Sequence, residues 1–190
     1  MNINEKVGVL GEITAIAYDQ RNLTKAQRGI NKIIQSLRSQ FPEWARKINL
    51  MKAYQLGPVL FKQEFKNVIC NAGFNAITKR LSGDTSDTGV INKAILGTGA
   101  GTPVASDTQL FTESYRNDIA SATEASNIAF LTAYFTETET SGTFTEFGNC
   151  IDGTGTANTG LLWSHIAGFS WAKDTQTVLV VSCKYTFASV

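Results

Sequence analysis

The chain has 190 residues, 43% of them hydrophobic and 17% charged, with a net charge of +1. A chain of this size and composition buries a core without help from a metal or disulfides, and it is not disordered throughout. Cys70, Cys150 and Cys183 are scattered and form no CxxC pair, which speaks against a disulfide framework and against a zinc site. Free, buried thiols made in a reducing cytosol are the expectation.

The first residues, Met1-Asn2-Ile3-Asn4-Glu5, carry no basic segment followed by an apolar run, so no signal peptide is expected. No apolar stretch approaches the roughly 20 residues that span a bilayer, so a product made in the cytoplasm, with no membrane partner, is expected. The small net charge conceals a division. Residues 1–83 hold 13 Lys/Arg and 5 Asp/Glu, a net +8, and residues 84–190 hold 4 Lys/Arg and 11 Asp/Glu, a net −7. Such a split implies two parts with different partners, or two parts that attract each other.

In chain order, the Val/Ile-rich segment 7–18 suits a strand or an extended arm. Thr24 followed by Gln27 is a capping-box pattern. Ile30, Ile33, Ile34, Leu37 and Phe41 then recur at helical spacing until Pro42 stops the helix. Lys25, Arg28 and Lys32 neighbour one another on that helix with no acid among them, a costly arrangement that an acidic partner would relieve. A second short helix is expected around Trp44, and Gly57-Pro58 breaks the chain. A further helix is expected over 63–81, with Phe65, Val68, Ile69, Ala72, Ala76 and Ile77 as its stripe. Gly73 weakens that helix by about 1 kcal/mol relative to Ala, so it needs a surface to pack on.

After Asp84 the texture becomes Thr-, Ser- and Gly-rich, and short apolar runs alternate with turn clusters. That pattern predicts strands near 91–96, 111–119, 128–136, 143–151, 161–171 and 177–187. In the last, Leu179, Val181, Cys183, Tyr185 and Phe187 share one face. In the one before it, Leu161, Trp163, Ala167, Phe169 and Trp171 do. Residues 172–175 read as a turn that makes these two strands an antiparallel hairpin. The fold class expected is α+β, an N-terminal helical segment followed by an antiparallel β-sandwich. Its parts are an arm with a basic helix (1–62), a connecting helix (63–83) and the sandwich (84–190).

The chemistry-bearing residues are few. His165 is the one histidine, placed as a hydrogen-bonded core residue. Gly97, Gly99 and Gly101 follow a strand, but Pro103 and a Ser/Asp-rich loop follow them instead of a helix, so a flexible turn is expected rather than a phosphate loop. Glu137, Glu139 and Glu146 could be glycosidase carboxylates, yet 137–143 reads as a hairpin turn. Residues 152–160 carry one carboxylate, too few for calcium, and read as a mobile loop. Trp163, Phe169 and Trp171 could stack sugars, but spacing by two is also what a sandwich core needs. No catalytic residue, cofactor or metal is expected. The basic N-terminal part could touch nucleic acid by charge alone, with weak specificity. Glu113 and Arg116, three apart on a strand, should lie on opposite faces and bond across strands or subunits.

The stretch INKAILGTGAGTPVASDTQLFTESYR (91–116) resembles a pattern found in virion proteins of tailed bacteriophages. A strand ends there in a Gly/Thr turn, followed by Pro, a small Ser/Asp loop, and an acid–aromatic–arginine cluster. SGTFTEFGN (141–149) and WAKDTQTVLVVSCKYTF (171–187) look like the matching later strands. FKNVICNAGFNAITKRLSGD (65–84) is similar to the helix that often precedes them. The resemblance is one of texture and segment order over somewhat more than half the chain. It implies a repeated, non-catalytic virion building block, tail-associated, with capsid decoration as an alternative; the aromatic face of Trp163, Phe169 and Trp171 adds a glycan-binding adsorption module as another. Other virion proteins and copies of the chain itself, as a homo-oligomer, would be its partners. Contact is expected through Lys25, Arg28 and Lys32 to an acidic neighbour, through Phe65, Ile69, Ala76 and Ile77 as a docking face, and through Glu113 and Arg116.

Overall fold

A computed structural model describes residues 7–189, with the side chains of Val7 and Ser189 excepted. The residues read for a signal sequence, 1–6, lie outside it. The chain mixes helix and strand, with two antiparallel sheets of five strands each. The first sheet has the order β2-β1-β10-β7-β6 and the second β3-β9-β8-β4-β5. The strands are β1 (Val7–Asp19), β2 (Val59–Lys66), β3 (Val68–Ile69), β4 (Ile91–Gly97), β5 (Glu113–Asp118), β6 (Ser121–Ala125), β7 (Ile128–Phe135), β8 (Gly142–Ile151), β9 (Leu161–Lys173) and β10 (Thr177–Ser189). The inner faces share one core. Ile13, Ala15, Leu131, Phe135, Leu179, Val181 and Tyr185 from the first sheet meet Leu96, Phe147, Trp163, Ile166 and Trp171 from the second.

The expectation of an N-terminal helical segment is corrected. The first described element is β1, which pairs with β10 from Val7↔Ser189 to Asp19↔Thr177, so the first and last described strands sit side by side in one sheet. The helices are an insertion between β1 and β2. Helix α1 (Lys25–Gln40) starts as its capping box predicts. Gln27 N–H donates to Thr24 Oγ1 (3.2 Å) and Thr24 N–H to Gln27 Oε1 (2.9 Å). Pro42 opens α2 (Pro42–Lys47), and a 3-10 turn follows at Leu50–Ala53. The insertion caps the outer face of the first sheet, with Ile34, Met51 and Tyr54 packed against Ala120, Val178 and Val180.

The helix expected over 63–81 begins only at Asn71; α3 is Asn71–Leu81, and Phe65 and Ile69 belong to strands β2 and β3. Phe61, Gln63 and Phe65 alternate inward, and the polar Gln63 conceals the period of two. Gly73 has the surface it needs, since a Cβ there would stand 2.6 Å from the Trp163 ring. The hairpin expected between the last two strands is also corrected. β9 lies in the second sheet and β10 in the first, so residues 174–176 cross between sheets. Each strand carries an apolar inner face, and facing across the core buries both. The segment 137–143 likewise leads from β7 in the first sheet to β8 in the second.

Candidate functional site

Helix α1 presents Lys25, Arg28 and Lys32 to solvent, and none has a carboxylate within ion-pairing distance among the described residues. Arg38, on the sandwich side of the same helix, is different. Its Nη1 meets Glu139 Oε1 at 3.3 Å beneath a cleft of about 530 Å3 that Lys32, Gln35, Asn117 and Thr138 also line. Gln35 also donates through Nε2 to the Tyr54 hydroxyl (2.6 Å), which in turn donates to Glu137 Oε2 (2.7 Å). Burial, reinforced by the Glu137 charge, pushes the Tyr54 hydroxyl well above its ordinary pKa.

The apolar stripe of α1 is only partly used. Ile34 is buried, while Ile30 and Ile33 stay 43% and 62% exposed. Asn31 takes the second buried place because its side chain clamps the Gln55 backbone, donating to the carbonyl (2.9 Å) and accepting from the N–H (2.7 Å). Phe41, Trp44 and Ile48 are also about half exposed. Phe41 is at once the C-cap of α1 and the N-cap of α2, so Ile30, Ile33 and Leu37 share the α1 stripe while Trp44 and Ile48 belong to the separate turn of α2. Helical spacing alone revealed the stripe; which part of it the sandwich would cover had no signal in it.

The acidic half of the chain uses most of its charge internally. Asp87 pairs with Lys79, Asp118 with Lys93, Glu139 with Arg38, Glu113 with Arg116 and Asp174 with Arg21. Glu113 and Arg116 do pair with each other, contrary to expectation. The β4–β5 register shifts at Leu96/Gly97, which adds a residue between them and turns both to one face. Their bidentate contact (2.5 and 2.6 Å) is almost fully buried. Arg116 Nη1 also donates to the Thr154 and Thr159 carbonyls (3.1 Å each), and Glu113 Oε2 accepts from Asn158 N–H (2.8 Å). The loop expected to be mobile, 152–160, is thus stapled at three points.

Glu146 is the feature the sequence did not announce. It is fully buried on the outer side of β8, and the glycine loop 97–112 folds over it. Its Oε1 accepts from Gly99 N–H (2.8 Å) and Thr112 N–H (2.7 Å), and its Oε2 from Phe111 N–H (2.8 Å). His165 Nε2 lies 3.0 Å from the same Oε2, and its Nδ1 lies 2.8 Å from Asp107 Oδ2. Both contacts are hydrogen bonds together when both ring nitrogens carry protons. Register shifts in the β8–β9 pairing let Trp163 and Ile166 both face the core while His165 turns outward under the loop. Gly99 stands where a Cβ would lie 2.6 Å from Glu146 Oε1, so close approach is what this glycine serves. The available signal was Gly97 and Gly99 just ahead of a loop returning to an acidic strand.

Glu146 therefore stands apart from Glu139, which lines the cleft under α1, and from Glu137, which accepts from Tyr54. Trp163 and Trp171 are 1% and 0% exposed, so they form core rather than a sugar-stacking platform. Of the residues expected as a docking face, Ala76 is buried and Phe65, Ile69 and Ile77 pack half-buried against the chain's own core. The described residues contain no cluster of His, Cys, Asp and Glu able to hold a metal. The chain matches no protein-family model, and no curated protein or solved structure is significantly similar to it.

Proposed function

We propose that the chain is a non-enzymatic structural component of a tailed-phage particle, tail-associated, that attaches to its neighbours through the helical cap. The observation that carries this reading is the cap surface. Among the described residues Lys25, Arg28 and Lys32 have no acidic partner, and Ile30 and Ile33 on the same helix, with Phe41, Trp44 and Ile48 after it, are left about half exposed. A half-exposed stripe of large apolar side chains marks an interaction site, and uncompensated cations on one helix face select an acidic partner. The resemblance of residues 91–116 and of the later strands to phage virion proteins supplies the setting.

Immunogold labelling of purified particles of the encoding phage, with antibody against this chain, tests the setting. Gold on the tail is expected; gold confined to the head identifies a decoration protein instead, and unlabelled particles refute both. Attachment is tested by rebinding the purified chain to particles lacking it. Binding is expected to weaken as salt rises and to weaken further in Lys25→Glu/Arg28→Glu/Lys32→Glu. Binding indifferent to both salt and charge reversal removes the basic face from the account.

A further inference from the structure

Each sheet ends in edge strands, and β2 is the longest of the four, with eight residues against five in β6, two in β3 and six in β5. Asn67 N–H bonds to the Gly11 carbonyl (3.2 Å), and the β1–β2 register runs from Glu12↔Lys66 to Ala17↔Phe61. In an antiparallel ladder the bonded pairs alternate. Phe61, Gln63 and Phe65 therefore use their backbone groups on β1, while Lys62, Glu64 and Lys66 turn theirs to the open edge; the register shifts before Phe61, where Val59 faces Tyr18 and Leu60 is the extra residue. No other described strand pairs with them.

An open edge is ordinarily blunted by lysine, proline or a bulge, and β2 has its bulge only at its N-terminal end, between Val59 and Phe61. Here the exposed side chains alternate in sign, with Lys62 and Glu64 2.6 Å apart on the outer face. Phe61 and Phe65 face inward and are only partly buried, with Phe65 against Phe169 (5.3 Å) and Trp171 (5.9 Å).

We infer that β2 is a self-complementary edge that pairs antiparallel with β2 of a second copy, joining the two first sheets into one continuous sheet. A twofold axis through Gln63 sets Lys62 opposite Glu64 of the other copy, and Glu64 opposite its Lys62. The same axis sets Phe61 against Phe65. The residues left opposite each other as bonded pairs are those whose backbone groups are free. A slip of the axis to Lys62 or Glu64 would oppose like charges and is disfavoured. The helical cap lies over β1, β10 and β7 through Tyr18, Val178, Val180 and Tyr134, and no side chain of β2 belongs to its apolar cluster.

Sedimentation velocity over a wide concentration range tests the pairing. The wild-type chain is expected to dimerise. Lys62→Glu and Glu64→Lys, each opposing like charges twice across the axis, are expected to raise the dimer dissociation constant about tenfold or more. An equimolar mixture of the two variants restores complementarity and is expected to form the heterodimer, as the double exchange K62E/E64K restores the homodimer. Near-UV circular dichroism checks that each variant keeps its packing, and misfolded chains could not recover on mixing. A monomer at every concentration overturns the inference. So does a dimer whose affinity ignores the single variants, or a mixture that associates no better than its components. None of these outcomes bears on the particle setting, which rests on different residues.

Discussion

The outer faces of the two sheets are covered in opposite ways. Over the first sheet the helical cap rests on apolar contacts, with Ile34, Met51 and Tyr54 on Val178, Val180 and Ala120, and polar groups at its rim. Over the second sheet the loop 97–112 is held by one buried carboxylate that gathers three backbone amides and an imidazole. Apolar packing is divisible, because each side chain contributes its own area and its loss leaves the others in place. A buried charge is not divisible in this way, since removing it orphans every donor aimed at it. The first cover should therefore loosen by degrees and the second should fail as a unit.

The largest expected effect is at Glu146. Glu146→Ala leaves the amides of Gly99, Phe111 and Thr112 and the His165 ring without their acceptor, and should cost about 3–5 kcal/mol of unfolding free energy in denaturant titration. Glu146→Gln sharpens the point. It keeps the shape but turns an NH2 donor toward the Phe111 N–H, while His165 Nε2 can accept from it, so part of the loss should persist. A small loss in the glutamine variant would mean that packing, not the carboxylate, holds the loop. Ile34→Ala tests the other cover. A loss of about 2–3 kcal/mol is expected, toward the low end for a buried isoleucine because the cap can settle. Hydrogen exchange should then quicken at α1 amides and remain slow in β8 and β9. Equal quickening in both sheets would erase the distinction between the covers.

What could be read in the sequence follows the same line. β10 was legible because Leu179, Val181, Cys183 and Tyr185 repeat every second residue on the core face, and β4, β7 and β8 because short apolar runs stand between turn clusters, a property of the strand itself. β2 was read as the start of a helix because Phe65, Val68, Ile69 and Ala72 also fit helical steps, and Gln63, which accepts from Trp171 Nε1 (2.9 Å), breaks the apolar alternation. The pairing of β10 with β1 joins the first and last described strands, and nothing local distinguishes it from a hairpin with β9. Glu113 and Arg116 meet through a register shift, and one extra residue in a strand leaves no mark in spacing. For the candidate surface, Lys25, Arg28 and Lys32 were legible as a cluster, because charge spacing on a capped helix is local. That Ile30 and Ile33 would stay uncovered depends on Asn31 clamping Gln55, a contact 24 positions away.

The smallest effect concerns Lys173, at the crossing where β9 leaves the second sheet for the first. Its ammonium is 3% exposed and donates to the Thr140 carbonyl (2.6 Å), with the Asp174 carbonyl at 3.4 Å and no carboxylate in contact. Burial lowers its pKa to about 8, against the opposing pull of the Glu139 and Glu137 charges, from 10.5 in the unfolded chain. Between those two values the unfolded chain holds a proton that the folded chain has released, so stability rises with pH across that window. Below it both states are protonated and the cost of burying the charge is constant. The burial of the three cysteine thiols gives the opposite slope at alkaline pH, and comparison with Lys173→Met at each pH cancels it. From about pH 7 to about pH 9.5 the wild type should gain about 1 kcal/mol relative to that variant, after allowance for solvent screening. A flat difference would mean that water reaches the ammonium, so that the crossing between the sheets is wetter than either cover.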